Sequence, residues 1–319
     1  MRLLVLALCG LIATPILAAT QPLEERLSKA VLVTGASSGI GRKITERLAA
    51  DGYFVYATAR KDEDLKALAA IKNVQPLRLD VTHPAEITAA VESVTKAGRG
   101  LYGLVNNAGI ATFGTIADMT PEEFDLSMKV NVYGPVMMVK AFESMIIAQK
   151  GRVINIGSVS GILATRDLAA YQMSKHAIEA LTDSLALQLA PFGAQASVIE
   201  PGAYNSHIVE NMLARLSPEG KTYVQKVEGP KKMDAHYPEP DEVAVAVEDA
   251  LFEPTPKRRY LVIPRHFTDP INAGLAERTI RGEIEQLVQL NEGQPYTFDR
   301  ATLIKMLDDA LSTARPRTD

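Results

Sequence analysis

The sequence predicts an α/β chain, one doubly wound domain on a parallel sheet with a helical extension after it. Three observations carry that reading. From Lys29 onward, apolar runs of strand length alternate with stretches of helical spacing, the mark of repeated βα units. Several of the strand runs are apolar and β-branched almost throughout, as strands covered on both faces must be. A glycine-rich turn, Thr34-Gly35-Ala36-Ser37-Ser38-Gly39-Ile40-Gly41, stands where the first strand hands over to the first helix. The chain has 319 residues, 47% hydrophobic and 23% charged, which suffices for a sizeable core.

Taken in order, the first strand covers 30–34 and is apolar up to its last residue. Helical spacing over 42–50 follows the glycine turn. A second strand, 54–59, ends at Ala59-Arg60, and Asp62 and Asp64 open the next helix, where acids suit the positive end. Strand 74–80 closes on Asp80 and leads to helical spacing over 85–96. Strand 101–106 runs into Asn106-Asn107-Ala108-Gly109. Thr120-Pro121-Glu122-Glu123 is a helix start for 121–130, with a capping hydroxyl, a first-turn proline and two acids. Strand 152–156 is followed at once by Ser158, a helix covers 176–190, and strand 195–200 ends in Pro201-Gly202. The basic triplet Lys257-Arg258-Arg259 reads as a solvated turn before a last strand, 259–263.

Two stretches break the rhythm. Residues 203–240 are strandless and polar, with Ile208, Met212 and Leu216 at helical spacing. They read equally as an active-site lid or as a surface helix pair packed on the core. Residues 266–319 carry two amphipathic patterns, around 280–290 and 299–311, and read as an extension that folds onto the domain or a neighbouring subunit.

Residues 1–20 form a hydrophobic leader ahead of a domain over 21–265. Its apolar run from Leu3 to Ala19 follows a single charge at Arg2 and is a little short of the about 20 residues of a spanning helix. Pro15 and Ala18-Ala19 resemble the end of a cleavable signal, so the leader reads equally as a signal or a retained anchor. A misassigned start is a third reading. The only cysteine, Cys9, lies in this leader, so the body forms no disulfide. A net charge of −4 argues against nucleic acid as the main partner, because phosphate binding needs a basic face. The histidines at 83, 176, 207, 236 and 266 show no metal-ligand spacing, and no metal site is expected.

The residues that carry chemistry are few. Gly35, Gly39 and Gly41 permit a tight turn and a close backbone approach to a pyrophosphate at a helix N-terminus. The end of the second strand holds Ala59-Arg60 where a carboxylate would accept the ribose 2′-OH of NAD. A guanidinium there can bind a 2′-phosphate instead, so NADP(H) is favoured over NAD(H). Tyr171 and Lys175, four apart, share one face of a helix. A nearby ammonium favours the phenolate, which makes a tyrosine a usable acid or base. Ser158, at a strand's carboxyl end, is placed to hold a carbonyl or alkoxide oxygen.

Together the glycine turn, Asn106-Asn107-Ala108-Gly109, Asn131, Ser158, Tyr171, Lys175 and Pro201-Gly202 resemble the short-chain dehydrogenase/reductase family, in order and from about Lys29 to Ile263. The resemblance implies a Rossmann-type fold and an NAD(P)-dependent interconversion of alcohol and carbonyl. It gives Tyr171 the part of general acid/base, Ser158 that of orienting the substrate oxygen, and Lys175 that of holding the nicotinamide ribose and lowering the tyrosine pKa. Asn131 would hold a water that passes protons on from the lysine, and Asp80 would contact adenine. Gly35, Ser37, Ser38, Gly39, Ile40, Gly41, Arg60, Asn107, Ala108, Gly109, Pro201, Gly202 and Ser206 complete the cofactor site. Ser206 stands where the family has a threonine, and Ser38 where NADP-preferring members often carry a base.

The finer pattern, Gly103-Leu104-Val105 before the asparagines and Val198-Ile199-Glu200 before Pro201, is similar to retinol and hydroxysteroid dehydrogenase-like members, some of them membrane-anchored. That implies a lipophilic alcohol or ketone substrate and a catalytic domain held at a membrane facing the cytoplasm, or else exported after signal cleavage. It also implies a homodimer or homotetramer through helices around 121–148 and 176–190. A soluble 3-oxoacyl ketoreductase is the alternative enzyme, and a non-catalytic NADP-binding sensor or scaffold the alternative class.

Overall fold

The computed structural model describes residues 23–162, 164–216 and 237–264. The hydrophobic leader, the expected C-terminal helices and the middle of 203–240 lie outside the described residues.

A short helix, α1 (Leu23–Ser28), precedes β1 (Ala30–Val33). Then α2 (Gly39–Ala50), β2 (Phe54–Ala59), α3 (Asp62–Ala69), β3 (Val74–Arg78), α4 (Pro84–Ala97) and β4 (Gly103–Asn106) alternate. The second half holds α5 (Pro121–Met128), α6 (Gly134–Ala148), β5 (Arg152–Ile156), α7 (Ala169–Leu189), β6 (Gln195–Pro201), α8 (Ile208–Arg215), α9 (Asp241–Phe252) and β7 (Arg259–Val262). The seven strands form one parallel sheet in the order β3-β2-β1-β4-β5-β6-β7.

Alternation along β1 explains the layers. Val31 and Val33 face one side, with Ile44 and Leu48 of α2, Leu68 of α3 and Val247 and Leu251 of α9. Ala30 and Leu32 face the other, with Ile87 and Val94 of α4, Met138 and Phe142 of α6, and Leu185 and Leu189 of α7. Both sides of the sheet are therefore buried, which is why its strands read as unbroken apolar runs. Between β1 and β4 the direction of winding reverses. At that switch point the loops from the carboxyl ends of the strands part, leaving a crevice.

Helix ends follow local chemistry. Thr120 accepts from the Glu123 N–H while the Glu123 carboxylate accepts from the Thr120 N–H, a reciprocal cap for α5. Gly98 ends α4 at a φ of 67°, which a glycine adopts without strain.

The expected helix over 121–130 is a longer rod. α5 passes through one π-helical turn, Lys129–Tyr133, straight into α6. The helix expected over 176–190 begins at Ala169, so Tyr171 and Lys175 occupy its first two turns. Lys257-Arg258-Arg259 is more than a solvated turn. Arg259 opens β7 and binds Glu179 and Asp183, and Arg258 also pairs with Asp183.

Candidate active site

The glycine turn is held open by threonines at the ends of the strands. Thr34 Oγ1 accepts the N–H groups of Asn107 at 2.9 Å and Ala108 at 3.0 Å. The Asn107 amide donates back to the carbonyls of Thr34, at 2.9 Å, and Gly35, at 3.1 Å. Thr58 of β2 accepts the Gly35 N–H at 3.2 Å. These bonds lock the ends of β1, β2 and β4 together. Gly35 and Gly39 take φ values of 65° and 53°, and a methyl group at Gly41 would collide with Asn107 Nδ2 and the Gly35 carbonyl. Ser38, the N-cap of α2, forms no side-chain cap bond, so the first-turn N–H groups are left for another acceptor.

At the far end of this turn Arg60 reaches out, its side chain 73% exposed, and its Nη1 lies 3.4 Å from Asp80 Oδ2. Arg78 donates to the Arg60 carbonyl and pairs with Asp62, a second guanidinium at this edge. Burial works to raise the Asp80 carboxyl, but hydrogen bonds from Thr82 and the charge of Arg60 outweigh it and hold the pKa below the ordinary value.

The strand β5 delivers Ser158, and the second turn of α7 delivers Lys175. Lys175 Nζ donates to the Ile156 carbonyl at 2.8 Å and sits 5.7 Å from the centroid of the Tyr171 ring. Burial brings its pKa down to about 8, against the opposing charge of Glu179. Burial also pushes the Tyr171 phenol up, and the hydrogen bond with the Ser158 hydroxyl pulls the other way. The lowering expected from Lys175 is thus not the contact the tyrosine makes here; serine is its hydrogen-bonding partner and the lysine is engaged by a carbonyl.

Asn131 sits in the π turn, 2% exposed. Its amide donates to the Ile110 carbonyl and to Ser174 Oγ, and its Oδ1 accepts the Ile110 N–H, all within 2.8–2.9 Å. The extra residue of the π turn is what aims this side chain inward.

All the expected cofactor residues, from Gly35 to Ser206, line one cleft of about 320 Å³ at the carboxyl edge of the sheet, together with Ser158, Tyr171 and Lys175. Asn131 stands behind its wall. Sequence reasoning missed the organising hydroxyls of Thr34, Thr58 and Ser174. A threonine at or beside the carboxyl end of an otherwise apolar strand was the available signal for the first two. It also missed Ile110, Tyr204 and Val209, which line the same cleft. Among the described residues, no group of His, Cys, Asp and Glu is arranged to hold a metal.

A parallel sheet with a glycine turn at its switch point and a serine, tyrosine and lysine beside it defines the class of dinucleotide-binding oxidoreductases. The profile of the family described as short chain dehydrogenase matches residues 29–216. The chain belongs to the short-chain dehydrogenase/reductase family.

It is 36% identical over 187 residues to mitochondrial D-beta-hydroxybutyrate dehydrogenase of Bos taurus, covering 56% of this chain and 54% of that protein. The chain thus spans about half the length of the hydroxybutyrate dehydrogenases it matches. It is 32% identical over 258 residues to 11-beta-hydroxysteroid dehydrogenase type 2 of Homo sapiens, covering 73% of this chain and 64% of that one. NADPH-dependent 3-dehydrocapnine reductase of Ornithobacterium rhinotracheale is 32% identical over 250 residues, 73% of this chain and 88% of that one. Among solved structures, a short-chain dehydrogenase from Streptomyces avermitilis superposes with a TM-score of 0.64 at 29% identity, over 84% of this chain and 98% of the other.

Proposed function

We propose that the protein is an NADP(H)-dependent oxidoreductase that interconverts a lipophilic alcohol and its carbonyl compound, with Tyr171 as general acid/base. The observation that carries the reading is the meeting of Ser158, Tyr171 and Lys175 in the one cleft that the glycine turn also lines. Family membership supports the reaction type.

A dinucleotide fits the residues present. The uncapped N–H groups of α2 and the glycine turn suit a pyrophosphate, and Asn107, Ala108 and Gly109 form the wall beside it. When bound, the cofactor supplies or accepts the hydride. Everything else falls to the chain. Ser158 holds the substrate oxygen by a hydrogen bond. Tyr171 gives its phenolic proton to that oxygen in reduction and takes it back in oxidation. Lys175, charged below about pH 8, binds the nicotinamide ribose. Asn131, by clamping Ile110 to Ser174, keeps the wall of the cleft registered against α7.

Arg60 supports NADP(H) over NAD(H), because its exposed guanidinium stands at the end of β2, where the cofactor's adenosine ribose would lie. The apolar side chains of Ile110, Ile208 and Val209 in the cleft support a lipophilic substrate, as does the likeness to proteins named for steroid and dehydrocapnine substrates. Exposed Tyr133, Val136, Met173 and Leu187 along α6 and α7 support a homodimer or homotetramer. The leader supports attachment to a membrane or export, although among the described residues no helix is long and apolar enough to cross one.

The test is reduction of a ketone panel with NADPH by the wild type and by Tyr171→Phe. Loss of turnover with NADPH binding intact is the expected outcome; near-normal activity in the variant contradicts the assigned chemistry.

A further inference from the structure

Behind the reaction centre lies a pair of buried acids that the chemistry above leaves unused. Glu179 follows Lys175 by one turn of α7, with its side chain 13% exposed, and Glu200 on β6 is 2% exposed. Burial pushes the Glu179 carboxyl above the ordinary carboxylate range, while the Arg259 charge and a contact with Glu200 pull it back. Arg259 closes the group, with Nε 3.1 Å from Glu179 Oε2 and 3.8 Å from Glu200 Oε1, and Nη2 2.7 Å from Asp183 Oδ2. The other oxygen of Glu179 points toward the turn that carries Ser158. A side-chain carbon at Gly157 would lie 2.9 Å from Glu179 Oε1, and one at Gly161 would lie 3.1 Å from it. The acid therefore fills the space beneath both glycines that bracket the serine.

Packing alone does not require a charge there, since glutamine has the same shape. A buried carboxylate raises the energy of the fold unless a cation answers it. Arg259 answers part of the charge. A second cation lies beside it: Lys175, one turn back on α7, sets its ammonium on the Ile156 carbonyl, next to the Gly157 that Glu179 Oε1 underlies, and the Glu179 charge opposes the effect of burial on it. The remaining groups around Lys175 are neutral: Tyr171 and Ser158 in front, Asn131 and Gly109 across the cleft wall, and the Ile156 carbonyl. Asp183 lies a further turn along α7 and is engaged by Arg258 and Arg259.

We propose that Glu179 is a positioning residue for the reaction: it is the counter-charge of the buried Lys175 ammonium and the prop of the turn that carries Ser158. The inference rests on the reading of Lys175 as a cationic cofactor ligand. It extends that reading from the cleft to the layer behind it, where β6 and β7 meet α7.

The test follows Lys175 itself. The full chain is labelled with ¹³C-lysine, the Lys175 Cε resonance is assigned by its loss in Lys175→Arg, and its titration is compared in the wild type and in Glu179→Gln. The inference expects the midpoint to fall by about one pH unit in the glutamine variant, a tenfold change in proton affinity. It also expects NADPH binding to weaken several-fold at pH 8 and to stay at the wild-type level at pH 6. A midpoint that does not move overturns the inference, whatever happens to thermal stability or turnover. Should Glu179→Gln fail to fold, the wild-type titration carries the test. The Lys175 resonance must then show a second inflection where Glu179 takes up its proton, and a flat acid limb overturns the inference. The proton chemistry assigned to Tyr171 fails separately, through an active Tyr171→Phe.

Discussion

At the scale of the residue, burial decides the chemistry of Lys175. Lys175 titrates at about 8 rather than 10.5 because its ammonium is taken out of water. Its assigned work needs the charge, so kcat/KM is expected to fall as pH rises through about 8. The same shift has a stability consequence of fixed sign. Between about 8 and 10.5 the unfolded chain still holds a proton that the folded chain has released, so stability rises with pH across that window. Chemical unfolding at pH 7.5 and pH 10 should show the rise in the wild type and its absence in Lys175→Met. Arg60→Ala is expected to raise the KM for NADP about ten- to hundredfold, the worth of charge-assisted phosphate bonds, with little change for NAD. Equal effects on both cofactors would remove Arg60 from the discrimination. Tyr171, Lys175, Ser158 and Arg60 were legible in the sequence because their spacing is set by a helix turn or a strand end. Glu179 and Arg259 were not. Eighty positions separate them, and only the pairing of β7 onto β6 brings them together.

At the scale of the element, the π turn between α5 and α6 is the feature with the most to explain. Its residues, Lys129-Val130-Asn131-Val132-Tyr133, carry no helix-breaking glycine or proline, so nothing in them announced it. Its effect is to bury Asn131 and clip Ile110 to Ser174. Asn131→Ala leaves the Ile110 N–H and carbonyl without these partners and is expected to cost about 2–4 kcal/mol. Thr120→Ala, one element earlier, removes an exposed capping box and is expected to cost only about 1 kcal/mol. Denaturant melts of the two variants check the contrast, and an inverted order would show that the clip is not structural. The start of α7 was unreadable for a related reason. Leu168 stands at its N-cap and makes no cap bond, so the first turn lacks the usual signature. By contrast α5 was placed at its first residue, because Thr120, Pro121 and Glu123 all act there.

At the scale of the whole molecule, the alternation of strand and helix sufficed for the layered sheet because the five inner strands are buried on both faces. The strand order could be anticipated only through family resemblance, since periodicity says nothing about which strands are neighbours. The cleft gathers groups from the ends of β1, β2, β4, β5 and β6 and from α7 and α8, so its function depends on the whole sheet being formed. The central claim is that this cleft moves a hydride between NADP(H) and a carbonyl carbon, with Tyr171 exchanging the proton. The most direct measurement is the change in absorbance at 340 nm on mixing the full chain with NADPH and ketones ranging from acetoacetate to a steroid ketone, repeated with Tyr171→Phe. The account predicts NADPH oxidation with a lipophilic ketone, and a loss of about 10²–10⁴ in the phenylalanine variant. Binding of NADPH without oxidation by any carbonyl compound, or equal rates in the two proteins, would contradict it.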